Sequence, residues 1–175
     1  MLRIERLSSV ETLDALEADW DALTAGQSPY VPFRSHLWNR LWWTHFRRDS
    51  ALVRDDFFVH LVRDERDRLL AVAPLMLTRR GVAGVSCIRM LQFFGADPFM
   101  TELRGPICRP ENQRAVVEAL SAGLGRSKEF DWIGSSSEYW PVRVSSASVR
   151  ASERLRVSPG LYVSWPRQLP DSGSV

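Results

Sequence analysis

The chain is short of lysine, cysteine and histidine. Of its 23 basic residues only Lys128 is a lysine, and there are two cysteines, Cys87 and Cys108, and three histidines. Two thiols with no Cys-x-x-Cys pair and no histidine cluster exclude a disulfide scaffold and argue against a zinc site; both are read as buried free thiols. Long apolar runs are missing too. No stretch reaches about 18 uninterrupted apolar residues, and Met1 to Asp21 mixes charges with leucines instead of setting a basic region before an apolar one. Neither a membrane span nor a secretory leader is expected, and the expected location is the cytoplasm. Nor does one sign of charge dominate. The 23 basic and 21 acidic residues leave a net of +2, and the arginines run from Arg3 to Arg167 without forming a stripe, so nucleic acid is not an expected partner. The same even spread reads the arginine excess as codon usage in preference to a phosphate grip.

What is present is the composition of one globular domain: 175 residues, 45% hydrophobic and 25% charged, with seven tryptophans. A chain of this size buries roughly 70% of its unfolded surface. Ser8 or Ser9 is placed to cap a helix in which Val10, Leu13, Leu16, Trp20 and Leu23 recur at helical spacing up to Gly26. A proline-containing loop leads to Ser35, a second cap, and to a helix whose Trp38, Leu41, Trp42 and His45 share one face. Trp43 falls about 100° from Trp42 at helical pitch. It marks either a second contact surface or ligand wall, or a crowded core that takes it in.

From Phe57 the period becomes extended. Phe57 to Val62 and Leu69 to Thr78 read as antiparallel strands around the charged turn Asp64 to Arg68, with Pro74 at an edge or a bulge. Gly81 and Gly84 mark the next turn, and Ser86 to Phe94 a third strand. The Gly95 to Thr101 loop follows, then a short strand at Leu103 to Cys108. A helix opens at Pro110 and runs to Gly123 or Gly125, and Asp131 to Gly134 forms one more strand. Beyond it the chain is serine-rich, with a last extended piece at Leu161 to Trp165 and a tail from Pro166 without packing signal. The domain reading is residues 1–134 as the folded unit and 135–175 as a serine-rich segment and tail. The fold class is α+β: two N-terminal helices, a mainly antiparallel β-meander, then a strand-helix-strand unit.

Catalytic motifs are few. No Gly-x-Ser-x-Gly elbow, His-Glu-x-x-His pair or Walker-type phosphate loop occurs, and the pairs Gly81/Gly84 and Gly123/Gly125 read as a strand turn and a helix end. His45 and His60 read as hydrogen-bonded core residues. His36 follows Ser35 at a helix start near Arg34, where exposed amides and a guanidinium suit an anionic group, although an ordinary capped start explains the same residues. Asp97, Thr101, Glu102 and Arg104 form the densest polar cluster. Its carboxylates suit orientation of an amine or a sugar hydroxyl, with Glu102 as a base; the competing reading is a structural loop in which Asp97 caps a turn before Pro98.

The order Phe33-Arg34-Ser35-His36-Leu37-Trp38 with Trp42, Val72-Ala73-Pro74-Leu75, Phe93-Phe94-Gly95-Ala96-Asp97-Pro98 and Thr101-Glu102 resembles the CelD-like group. That group is a branch of the GNAT acetyltransferase superfamily, associated by name with cellulose or exopolysaccharide biosynthesis and related to FemAB-type transferases. The similarity covers roughly residues 8–134, with a weaker echo in Tyr162 to Pro170. It implies a GNAT-like fold and an N- or O-acyltransferase that uses acetyl-CoA or another acyl-CoA, built from two GNAT-like halves. The acyl donor site belongs to the second half, and no Q/R-x-x-G-x-G/A loop occurs here. On that plan the chain is a truncated or split first half, working with a second half in trans or as a homodimer. It would dock through a large exposed apolar patch. The resemblance carries Arg34, His36, Trp38, Asp97 and Thr101 over as acceptor-binding candidates and Glu102 as the catalytic candidate, with a small-molecule, sugar or amine acceptor. A non-catalytic binding or scaffolding module that keeps the fold is the rival reading, and a functionless remnant a third.

Overall fold

The computed structural model describes residues 2–25, 31–82, 85–95 and 105–134. Ser9 starts α1 (Val10–Asp14), its backbone N–H reaching Thr12 Oγ1 at 3.4 Å. The single helix expected here is two: the chain turns at Ala15 and Leu16 and restarts as α2 (Glu17–Thr24). The break keeps Leu13, Leu16, Trp20 and Leu23 all buried. A 3-10 turn (Pro32–Arg34) leads into α3 (His36–Phe46), whose Ser35 Oγ accepts the Trp38 N–H at 3.2 Å.

Helix α3 lies on the other side from that expected. His36, Asn39 and Trp43 are buried, whereas Leu41 and His45 are exposed and Trp38 and Trp42 only half-buried. The expectation of a core His45 is therefore corrected, and Trp43 belongs to the crowded core. A helix apolar all round gives periodicity no basis for choosing its inner face.

The strands form two four-stranded sheets. The first has the order β1 (Arg3–Arg6), β3 (His60–Arg63), β4 (Leu69–Ala73) and β7 (Ile107–Cys108); the second β2 (Val53–Phe57), β5 (Leu75–Val82), β6 (Val85–Phe93) and β8 (Trp132–Gly134). Two strands expected to be continuous are divided between the sheets. Phe57 to Val62 parts at Phe58 and Val59, and Leu69 to Thr78 parts at Pro74, so one long hairpin crosses from sheet to sheet. Pro74 has no N–H for a ladder, and its carbonyl accepts Phe94 N–H at 2.8 Å while Phe58 N–H goes to Leu75 O at 3.1 Å. All strand pairs are antiparallel except β6 with β8, which run parallel and are joined through α4 (Gln113–Leu124).

Strand alternation sends apolar side chains to both faces. On one face Val62, Ala71, Leu77, Leu91 and Phe93 meet Val116, Leu120 and Leu124 of α4. On the other, Leu61, Val72, Met76 and Phe94 meet Leu13, Trp20 and Trp43 of α1 to α3. Each cluster draws on both sheets, so helices cover a continuous strand surface from either side. The architecture is α+β with antiparallel sheets, in the expected order of elements. Strand β1, with the charged sequence Arg-Ile-Glu-Arg, and the start of β2 carry no extended signal. No helix of the described residues is long and apolar enough to cross a membrane.

Candidate functional site

The strands β6 and β8 end side by side at Phe93 and Gly134, with Gln92 paired to Gly134. Ligands in sheets with parallel strands gather beyond such carboxyl ends. Phe94 follows directly, its ring stacked on Trp42 at 5.5 Å and on Trp43 at 5.0 Å, with Phe57 edge-on to Trp43 at 5.1 Å. Gly95 then takes φ 70°, a left-handed turn that a side chain resists. Asp97, Thr101 and Glu102, and Arg104 with them, lie outside the described residues. The chain returns at Gly105 and reaches β7, where Cys108 O accepts from Arg34 Nη2 at 3.1 Å. Both ends of the 96–104 segment are thus fastened to α3 or to the turn before it.

The candidates Arg34, His36 and Trp38 lie at the turn before α3 and in its first turn. Arg34 is half-buried, its carbonyl accepting Trp20 Nε1 at 2.8 Å, and its Nε is buried without a hydrogen-bond partner among the described residues. A buried donor left over in this way costs about 1–3 kcal/mol. His36 is corrected from a groove residue to a wall residue: it is 4% exposed, its Nε2 donates to Leu13 O at 3.1 Å, and its ring stands edge-on to Trp20 at 5.5 Å. Burial at a helix–helix contact, with a ring nitrogen already engaged, turns it away from an acceptor. Trp38 is half-buried and edge-on to Phe33 at 5.3 Å. Asn39, absent from the sequence candidates, donates Nδ2 to Phe33 O and Ser35 O and stiffens the turn that presents Arg34.

Sequence reasoning also missed a buried polar file. Asp55 on β2, Thr78 on β5 and Gln92 on β6 share the face that carries Phe57 and Met76. Thr78 donates to Asp55 Oδ1 at 2.6 Å, Gln92 Nε2 donates to Thr78 Oγ1 at 2.6 Å, and Arg48 N–H closes Asp55 Oδ2 at 2.7 Å. The available signal was a polar residue at an inward position of an apolar alternation: Thr78 two places after Met76, Gln92 between Leu91 and Phe93. The network positions β6 just before its carboxyl end. Cys108 is buried, and that burial pushes its thiol above its ordinary range, which makes it a poor nucleophile. Among the described residues no group of His, Cys, Asp and Glu side chains is placed to hold a metal ion.

No family model matches the sequence, and no curated protein matches it. Among solved structures the chain is similar to an aminoglycoside antibiotic 6'-N-acetyltransferase from Acinetobacter baumannii. The two are 14% identical, the match covers 97% of this chain and 99% of that one, and the TM-score is 0.42. A superposition that loose carries no argument about the chemistry of this chain.

Proposed function

We propose that the chain is the acceptor-binding part of a GNAT-type, CelD-like N- or O-acyltransferase. One observation supports the reading: Phe94, directly after the carboxyl end of β6, stacks on Trp42 and Trp43 of α3, and Arg34 in the turn before α3 holds Cys108 O on β7. In this reading Arg34 offers its unpartnered Nε–H to an acceptor oxygen and the aromatic shelf bounds the groove. Asp97 and Thr101 orient the acceptor amine or hydroxyl, and Glu102 takes its proton.

The described residues do not fit an acyl-CoA. A pyrophosphate needs free amides at a helix start, but the 3-10 turn that leads into α4 opens on Pro110, which has no N–H, and the Asn112 N–H is already spent on Arg109 O at 3.0 Å. The donor site, on this proposal, belongs to a second GNAT half in trans or to a second copy. The same lack of a cradle, with His36 consumed internally, favours the rival reading of a non-catalytic binding module.

Calorimetric titration of the full chain with acetyl-CoA and a longer acyl-CoA, with coenzyme A as control, tests the proposal. Saturable binding near one site per dimer supports a donor site completed by a second copy, whereas one site per chain overturns the assignment of the donor site to another half. A folded chain that binds none, and that shows no acyl transfer when its candidate partner half is added, is a binding module. An Asp97→Ala, Glu102→Ala double variant that stays folded is expected to lose acceptor binding.

A further inference from the structure

Four of the described arginines are half-buried: Arg34, Arg40, Arg63 and Arg89. A guanidinium does not shed its proton when it leaves water, so partial burial calls for an anion beside it. Arg40 has Asp14, with contacts of 2.6 and 3.0 Å, Arg63 has Glu5 at 3.6 Å, and Arg89 has Asp131 at 2.9 Å. Arg34 alone of the four has no ion-pair partner among the described residues. We propose that Arg34, with Arg109 beside it, binds an anionic oxygen group, a carboxylate or a phosphate, on the acceptor. The inference rests on the acceptor site proposed above and gives that acceptor its chemical class.

The Arg34 side chain is held in place without being neutralised. Its carbonyl accepts from Trp20 Nε1 at 2.8 Å, its backbone N–H donates to Val31 O at 3.0 Å, and Nη2 donates to Cys108 O at 3.1 Å. A carbonyl orients the guanidinium but leaves its charge. Of the guanidinium nitrogens only Nη2 has a hydrogen-bond partner among the described residues. The N–H of Nε and the N–H pair of Nη1 remain, on a planar fork that matches the oxygens of carboxylate and phosphate. Fixed in advance, the fork loses little freedom on binding.

The surroundings add positive potential. Arg34 stands just before α3, whose first turn holds no acidic residue, so the positive end of the helix dipole lies beside it. Arg109 follows directly on the Cys108 carbonyl that Arg34 holds. Its Nη2 donates to Ala22 O at 3.2 Å, on the helix whose Trp20 fastens the Arg34 carbonyl, and it too has no ion-pair partner among the described residues. Glu111, exposed two positions on, pairs with neither arginine among the described residues. Like charges gathered in this way are relieved by an anion that joins them.

Calorimetric titrations of the full chain with inorganic phosphate and with succinate, at constant ionic strength and with sodium chloride as control, test the proposal. Saturable binding in the millimolar range is expected, weakened about ten-fold or more by Arg34→Gln, less by Arg109→Gln, and not at all by Arg126→Gln, which replaces an exposed arginine outside the cluster. Tighter binding of phosphate assigns a phosphate ester, and tighter binding of succinate a carboxylate. Since Arg34→Gln also touches the turn, the wild-type chain supplies a second reading by mass spectrometry. The anion that binds is expected to slow phenylglyoxal modification of Arg34 several-fold and to leave Arg126 unprotected. No saturable binding of either anion, an equal loss with Arg126→Gln, or an Arg34 that the anion does not protect or the reagent does not reach overturns the proposal. None of these measurements contains an acyl donor. Anion binding without acyl transfer therefore removes the transferase reading and keeps the site, and transfer to a neutral acceptor without anion binding does the opposite.

Discussion

Thr78 gives its hydroxyl proton to Asp55 and takes one from Gln92 while having no exposure of its own. Valine in its place keeps the shape and strands both neighbours: a buried carboxylate loses a donor and a buried amide loses its acceptor. Thr78→Val is expected to cost about 2–3 kcal/mol, read as a lowered urea midpoint with an unchanged slope. A loss under about 0.5 kcal/mol would mean that the file contributes little. His60 makes a second residue-scale prediction. Burial, chiefly, pulls its pKa below the ordinary 6.5, with Arg6 adding to the effect and the Phe58 carbonyl opposing it. The folded state therefore binds fewer protons at this site than the unfolded state. Its contribution is complete above the unfolded value near 6.5 and is lost as pH falls from there toward the folded pKa. Denaturant titrations at pH 7.5 and 5.5 should show wild type losing more stability on acidification than His60→Gln, and equal losses would refute the assignment.

Among the elements, α4 approaches β1 so closely that a Cβ on Gly123 would stand 2.8 Å from Ile4 Cδ1. Gly123→Leu is expected to destabilise by about 1–3 kcal/mol through overpacking. Ile4→Ala in the same chain should recover part of that loss, giving a coupling of at least about 0.5 kcal/mol in a double-mutant cycle; strict additivity would place the two side chains out of contact. The helix starts at Ser9, Ser35 and Pro110 were legible because a cap is a local chemical event that a few residues decide. The break at Ala15 and Leu16 was not, since both residues favour helix and only the packing of Trp20 against α3 selects the turn. Strand β1 was illegible for the opposite reason: a charged edge strand has little apolar alternation to show.

At the scale of the whole molecule the two sheets share one hairpin and both cores. Unfolding should accordingly be a single transition, with near-UV circular dichroism, far-UV circular dichroism and tryptophan fluorescence giving one urea midpoint. Separate midpoints would mean that the sheets are independent units. The candidate site was only partly readable. Arg34 and Trp38 stood out beside a cap, whereas Asn39 and the Asp55, Thr78, Gln92 file come together through strand register and helix facing, which no short stretch of sequence contains. The burial of His36 was equally illegible, because a polar ring at a helix start looks alike whether it faces solvent or, as here, the Leu13 carbonyl of a neighbouring helix.

The Asp64 to Arg68 turn closes the hairpin that both sheets use. Asp64 Oδ1 accepts the N–H groups of Arg66 and Arg68, and Asp67 sits at φ 63°. The turn is closed by contacts within five residues, and it hands its register to both sheets. An inserted residue there would exchange inner and outer side chains along β4 and β5 at once. A few residues on the surface thus act as the alignment mark for the entire interior.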